Sequence, residues 1–150
     1  MPFTTNHENS ILKVLFGQQQ SWTVGSDIYL ALTSNDPRAD KGSIAELSGD
    51  TYERVLIAKY GTDLLNHMNV PDDGKISNKI QINWNKATEA WGTAKGFAMY
   101  NAKTNGTLIF YDKLKEDVEI GANCVALFDP GDFSISFTDP DEAAASVTTA

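Results

Sequence analysis

The stretch Trp84–Tyr111, WNKATEAWGTAKGFAMYNAKTNGTLIFY, decides the fold class. Asn105-Gly106 stands between two runs in which apolar residues recur at alternate positions. An Asn-Gly pair in that setting is the strongest short-range signal of a β-hairpin, because both residues accept a positive φ. The stretch predicts the end of one strand, a polar loop, a second strand, a tight turn and a third strand. It carries none of the residues that an active site would need.

Working outward from this hairpin, further strands are predicted on both sides of it. Asp27–Thr33 reads as a strand covered on both faces, and Thr51–Ile57 as the next strand. Ile76, Ile80 and Ile82 have even spacing, which places them on one face of a single strand. Phe133–Phe137 alternates apolar and polar residues in a final strand. About eight strands with frequent turns predict an all-β fold, an antiparallel β-sandwich of jelly-roll type with a short N-terminal helix.

The predicted helix runs from Ser10 to Phe16, with Asn9 or Ser10 as its N-cap and Gly17 as its end. It is apolar on more than one side, and one domain face can cover only one of those sides. The remainder is predicted to meet a neighbouring copy or a different partner, because exposed apolar patches mark interfaces. The predicted interface residues are Ile11, Leu12, Leu15 and Phe16.

Three segments of different composition follow from these predictions. Residues 1–25 form an N-terminal arm with the short amphipathic helix, and residues 26–138 form the sandwich domain. Residues 139–150 form an acidic tail of small residues, which cannot bury enough surface to order itself alone. We expect that tail to be either flexible or held by a partner.

Composition excludes several classes of function. A net charge of -8 argues against binding to a phosphate backbone, and no basic run offsets it. No apolar segment is long enough to span a bilayer, so membrane insertion is not expected. Cys124 is the only cysteine, so no intrachain disulfide can form.

The search for chemistry yields no catalytic, cofactor or metal site. His7 and His67 lack a second ligand at metal-binding spacing, and the acidic turns lack the oxygen spacing of a calcium loop. Scattered carboxylates could pair for glycoside hydrolysis, but sequence alone nominates no pair. Aromatic residues such as Trp84 and Trp91 are more often core or interface than a sugar platform, but these two flank a polar loop, so one of them could be partly exposed and face a ligand such as a sugar.

The order of these segments resembles a family of small bacteriophage virion proteins, usually labelled tail-fibre or head-fibre-like. The matching parts are Ile28–Pro37, a strand ending in Asp-Pro, and Glu46–Arg54, which fits E-x-x-G-x-x-Y-x-R. They continue with Ala90–Ala102, which holds Trp-Gly, and with Gly106–Tyr111. The resemblance covers roughly residues 9–137 in order. It implies a β-sandwich that assembles as a homo-oligomer, with a trimer expected, and it implies no catalysis.

We therefore predict a non-enzymatic virion structural protein, an oligomeric surface component such as a capsid decoration, head fibre or tail fibre. It is expected to assemble in the host cytoplasm and to contact itself and other virion proteins. The alternative is a carbohydrate-binding adhesin module that recognises a host surface glycan.

Overall fold

The computed structural model describes residues 3–18, 26–60, 68–136 and 145–150. In these residues the chain forms one helix, α1 (Thr5–Leu15), and nine strands. The strands are β1 (Ile28–Thr33), β2 (Val55–Ala58), β3 (Lys75–Ser77), β4 (Ile82–Asn83), β5 (Gly92–Tyr100), β6 (Leu108–Ile120), β7 (Ala126–Phe128), β8 (Ser134–Ser136) and β9 (Thr148–Thr149).

The strands form a four-stranded sheet in the order β2-β1-β5-β6, a pair β3-β8 and a three-stranded sheet β4-β7-β9. Every paired strand is antiparallel to its neighbour. The predicted all-β, antiparallel, sandwich-like class with a short helix is confirmed. The jelly-roll connectivity is not confirmed, since the consecutive strands β1 and β2 are neighbours in one sheet, as are β5 and β6.

The β5–β6 hairpin is the longest paired element and has the predicted turn residues. Asn105 and Gly106 both have positive φ, 53° and 77°. The connection spans residues 101–107, however, and is not a two-residue turn. Asn101 closes it, because its backbone N–H donates to the Thr107 carbonyl and its side-chain oxygen accepts from the Thr107 N–H.

A break in the register of this hairpin creates a place for the C-terminal segment. Ala94 pairs with Val118 but Gly96 pairs with Lys113, so residues 114–117 of β6 form a bulge. Leu114 forms a bridge with Ala145, and the Lys115 N–H donates to the Ala145 carbonyl at 2.8 Å. The bulge therefore exposes backbone groups that the returning chain satisfies.

The prediction for the tail is wrong for its last six residues. Ala145 and Val147 are buried in the core, and β9 pairs with β7 in the three-stranded sheet. The backbone of residues 145–150 pairs with β6 and β7, and these main-chain hydrogen bonds order the segment. Such bonds do not require large apolar side chains, which the tail lacks. Residues 139–144 of the predicted tail lie outside the described residues.

The single strand predicted through Ile76, Ile80 and Ile82 is also wrong, because Asn78 interrupts it. Asn78 is 1% exposed, and its side-chain amide donates to the carbonyls of Ile80 and Asp129. Its side-chain oxygen accepts from the N–H groups of Gly131 and Phe133, both at 3.0 Å. This side chain turns the chain between β3 and β4, and Ile80 is left 41% exposed.

The core lies between these sheets and is rich in aromatic rings. Phe97 packs on Phe133 with ring centroids 5.2 Å apart, and Phe133 packs on Phe128 at 5.3 Å. Leu30, Leu32 and other apolar residues of the four-stranded sheet complete it.

Candidate assembly surface

Helix α1 is attached to the four-stranded sheet through its first turn. The Thr4 N–H donates to the Ile109 carbonyl at 3.1 Å, and the Thr4 hydroxyl donates to the Leu108 carbonyl at 3.2 Å. Phe3 packs edge-on against Phe110, with ring centroids 4.8 Å apart. These contacts with β6 start the helix at Thr5, so the predicted N-cap at Asn9 or Ser10 is wrong.

His7 is the buried residue of α1. Its Nδ1 lies 2.7 Å from the Thr4 hydroxyl oxygen. Burial lowers the pKa of His7 below its ordinary value, because a charged imidazolium is less well solvated there.

The last helical residue of α1 is Leu15, and Gly17 stops the helix as predicted. Gly17 has a φ of 70°, and its N–H donates to the Val14 carbonyl. The Gln18 N–H donates to the Lys13 carbonyl at 2.8 Å, which completes a Schellman motif. Phe16 therefore stands at the end of a well-terminated helix.

The predicted interface residues lie on the exposed part of this helix. Leu12 is 50% exposed, Leu15 71% and Phe16 73%, while Ile11 is half-buried. Val14 is 36% exposed. A run of large apolar side chains in water at one end of a helix is typical of an interaction surface.

The two tryptophans named as candidate ligand-facing residues are both buried. Trp84 is 1% exposed and Trp91 is 5% exposed, so both belong to the core. Trp84 packs against Phe128, and Trp91 packs edge-on against Tyr52. They bracket a polar loop as expected, but each indole turns inward. Neither ring is exposed, so neither supports a sugar-binding role.

The motif E-x-x-G-x-x-Y-x-R forms an internal ion pair that we call the Arg54 clasp: Glu46, Tyr52, Arg54 and the loop 101–107. Arg54 is 8% exposed and binds the Glu46 carboxylate through two hydrogen bonds, of 2.9 and 2.8 Å. The Tyr52 hydroxyl donates to the same carboxylate and accepts from the Leu32 N–H. Every polar residue of the motif thus has an internal partner.

The clasp also holds the turn of the β5–β6 hairpin. The Arg54 guanidinium donates to the carbonyls of Ala102 and Asn105, at 2.9 and 2.8 Å, and it stacks on the Tyr100 ring. Burial opposes the charge of Arg54, but the hydrogen bonds and charge of Glu46 outweigh it and raise its pKa. Burial, with the Glu46 charge, raises the pKa of Tyr52, so this hydroxyl stays protonated.

Gly49 of the same motif is required by close packing. A Cβ atom on Gly49 would lie 2.3 Å from Cδ1 and 2.5 Å from Nε1 of Trp91. The glycine of Glu46–Arg54 and the Trp-Gly of the hairpin stretch are therefore in contact in the fold.

Asp36 and Pro37, the Asp-Pro pair that ends the first matching segment, also make contacts within the body. The Asp36 side chain accepts from the N–H groups of Arg38 and Ala39, and Arg38 forms an ion pair with the buried Asp112. Burial raises the pKa of Asp112, and the hydrogen bond from Arg38 partly offsets that rise. Pro37 lies against Gly96, where a Cβ would be 2.4 Å from the proline ring.

Sequence reasoning missed these internal partners although it quoted the motifs. The spacing of Tyr52 and Arg54 was a usable signal, since residues two apart in an extended segment point to one side. The carbonyls of the 101–107 loop gave no signal, because any residue supplies them.

Two kinds of feature, a metal-binding group and a membrane-spanning helix, are absent from the part of the chain that the structure describes. It contains no group of three or more His, Cys, Asp or Glu side chains that could hold a metal ion. Within the same residues, no helix is long and apolar enough to cross a membrane. Glu46 and Asp112, two of the scattered carboxylates, are each paired with an arginine.

A self-contained all-β body that carries one helix with outward apolar residues is typical of a structural assembly module. A family model described as Podophage GP4 fiber I protein gp80 matches residues 2–136. The chain belongs to this family, and it is a phage virion structural protein, as the resemblance to fibre-like virion proteins implied. A search of curated proteins finds no match to the chain.

Proposed function

We propose that this protein is a non-enzymatic building unit of a phage fibre, present in several copies that contact one another through α1. The observation that carries the proposal is the family match over residues 2–136. The exposed Leu12, Leu15 and Phe16 support self-association as the means of assembly, because large apolar side chains gain free energy when a neighbour removes them from water.

The motif residues support a structural role and not a catalytic one. In the clasp, Glu46 is occupied by Arg54 and Tyr52, so it is not available as an acid, base or nucleophile. Asp112 is occupied by Arg38. The polar residues that make the sequence recognisable stabilise the body, and the surface of α1 is left for assembly.

The position of the protein in the virion is tested with purified phage particles. Mass spectrometry of purified virions is expected to detect it, and cryo-electron microscopy is expected to show it in a fibre rather than as a capsid decoration. Its absence from purified particles would contradict the proposal. Clear density on the capsid surface alone would contradict the fibre position.

Self-association is tested with Leu12→Asp combined with Phe16→Asp. Two carboxylates on the exposed apolar face are expected to give a folded but smaller species in multi-angle light scattering, because burying either charge is unfavourable. Val70→Asp is the matched control, since Val70 is also exposed, at 87%, but lies outside α1. An unmodified chain that stays monomeric even at the highest concentration measured would count against self-association.

A further inference from the structure

The outward residues of α1 follow the spacing of a helix-packing interface. Thr5, Asn9, Leu12 and Phe16 are separated by four, three and four residues, and all four are exposed. Residues so spaced form one line along a helix, the a and d positions of a heptad, with Asn9 and Phe16 at a and Thr5 and Leu12 at d. We call this line the α1 seam.

The seam points away from the protein's own body. Successive residues of a helix are about 100° apart, so His7 lies on the side opposite the seam. His7 is buried, and its neighbours on that side, Ser10 and Ile11, are half-buried. The first part of the helix therefore rests on the body with this side and presents the other side to a partner, whereas Val14, on the body side of the last turn, is 36% exposed.

Two charges flank the seam in a way that identifies the partner. Glu8 and Lys13 are five residues apart, at the g and e positions of the same heptad. Neither side chain takes part in the ion pairs found among the described residues. In parallel helices, a g residue of one chain meets the e residue five positions later in the next chain. Glu8 of one copy would then face Lys13 of another.

We infer that α1 packs against α1 of a second copy of this chain, parallel and in register. The inference rests on the proposed function, and it adds the geometry of the contact. An antiparallel pair would set g against g and e against e, so Glu8 and Lys13 would not meet. Asn9 supports a fixed register, because a polar residue at an a position favours pairing with the same residue of a parallel neighbour.

The proposed contact between two α1 helices is small, so its strength decides which experiment can detect it. A helix of 11 residues buries less than the roughly 1,000 Å² that a stable isolated interface needs, so purified chains associate weakly. In a fibre, where copies are held close together, the same contact gains from high effective concentration. The experiment therefore needs a concentration series.

The test exchanges the two charges. Glu8→Lys and Lys13→Glu each replace the proposed attraction by repulsion between copies, and each alone is expected to raise the concentration for half-association by roughly fivefold or more in sedimentation velocity. An equimolar mixture of the two variants restores complementary pairs and is expected to associate like the parent. Circular dichroism confirms that each variant is folded.

Orientation is tested by cross-linking in a Cys124→Ser background, which removes the only native cysteine. Leu12→Cys places identical residues of parallel copies together at the seam and is expected to form a disulfide-linked species under mild oxidation. Ser10→Cys, on the body side, is the matched control and is not expected to cross-link.

A parent that stays monomeric throughout the series, or a mixture that associates no better than its components, would overturn the inference. Equal cross-linking at positions 10 and 12 would overturn it as well. None of these outcomes alters detection of the protein in virions, so its role as a building unit of the fibre is judged separately.

Discussion

The Arg54 clasp and helix α1 use similar residues in opposite ways. In and beside the clasp, Trp91 is 5% exposed and Arg54 is enclosed by a carboxylate and two carbonyls. In α1, Phe16 is 73% exposed, and Glu8 and Lys13 have no ion-pair partner among the described residues. The clasp pairs its own charged groups within the body, whereas the helix leaves charged and apolar side chains available to another molecule.

This difference locates stability and assembly in separate parts of the chain. Changes in the body are expected to alter the free energy of unfolding, and changes on the seam are expected to alter association while the body stays folded. The following predictions test that separation, from the largest expected effect to the smallest.

Arg54→Ala is expected to lower the free energy of unfolding by about 3 kcal/mol, because it removes the charged partner of the Glu46 carboxylate and the donor to two loop carbonyls. Urea denaturation followed by circular dichroism measures it. Lys103→Ala is the control, since the Lys103–Glu53 pair is exposed and such pairs contribute less than about 1 kcal/mol. Equal losses for both variants would mean that the clasp is no more stabilising than a surface ion pair.

Gly49→Ala is expected to lower the free energy of unfolding by about 2 kcal/mol, because the added methyl group must displace the Trp91 indole. A change in tryptophan fluorescence of the folded protein is expected with it. Gly121→Ala is the matched control, since a Cβ there meets nothing within 4 Å. An unchanged stability for Gly49→Ala would show that the indole moves aside without cost.

Much of the body could be predicted from local pattern. The strand predicted at Asp27–Thr33 is β1 almost to the residue, and the positive φ angles of Asn105 and Gly106 were predicted from residue type alone. These features depend on side-chain alternation and backbone conformation, which a sequence records directly.

The failures occur where a distant segment decides the local structure. Asn78 breaks a regular isoleucine pattern because the 129–133 segment supplies its hydrogen-bond partners. Ala145 and Val147 become core because the bulge in β6 accepts that segment. Trp84 and Trp91 flank a polar loop and still face inward, since each packs on an aromatic ring from elsewhere in the chain. Sequence spacing contains no information on these long-range contacts.

The last prediction concerns His7, where the helix joins the body. Because burial lowers its pKa in the docked helix below the ordinary value near 6.5, the undocked or unfolded chain binds more protons as the pH falls through that value. The contribution of His7 to docking is therefore fully present above about pH 6.5 and is lost as the pH falls through the lowered pKa.

Hydrogen exchange, corrected for the intrinsic effect of pH, is expected to show faster exchange of the Thr4 amide, which donates to Ile109, at pH 5 than at pH 7.5. Amides of β5 are expected to change little, because they belong to the central hairpin of the body. His7→Gln removes the titrating group while keeping a polar side chain, so the pH dependence at Thr4 should disappear in that variant. If it persisted, another group would control how the helix is held, and the junction between the body and its assembly surface would not depend on His7.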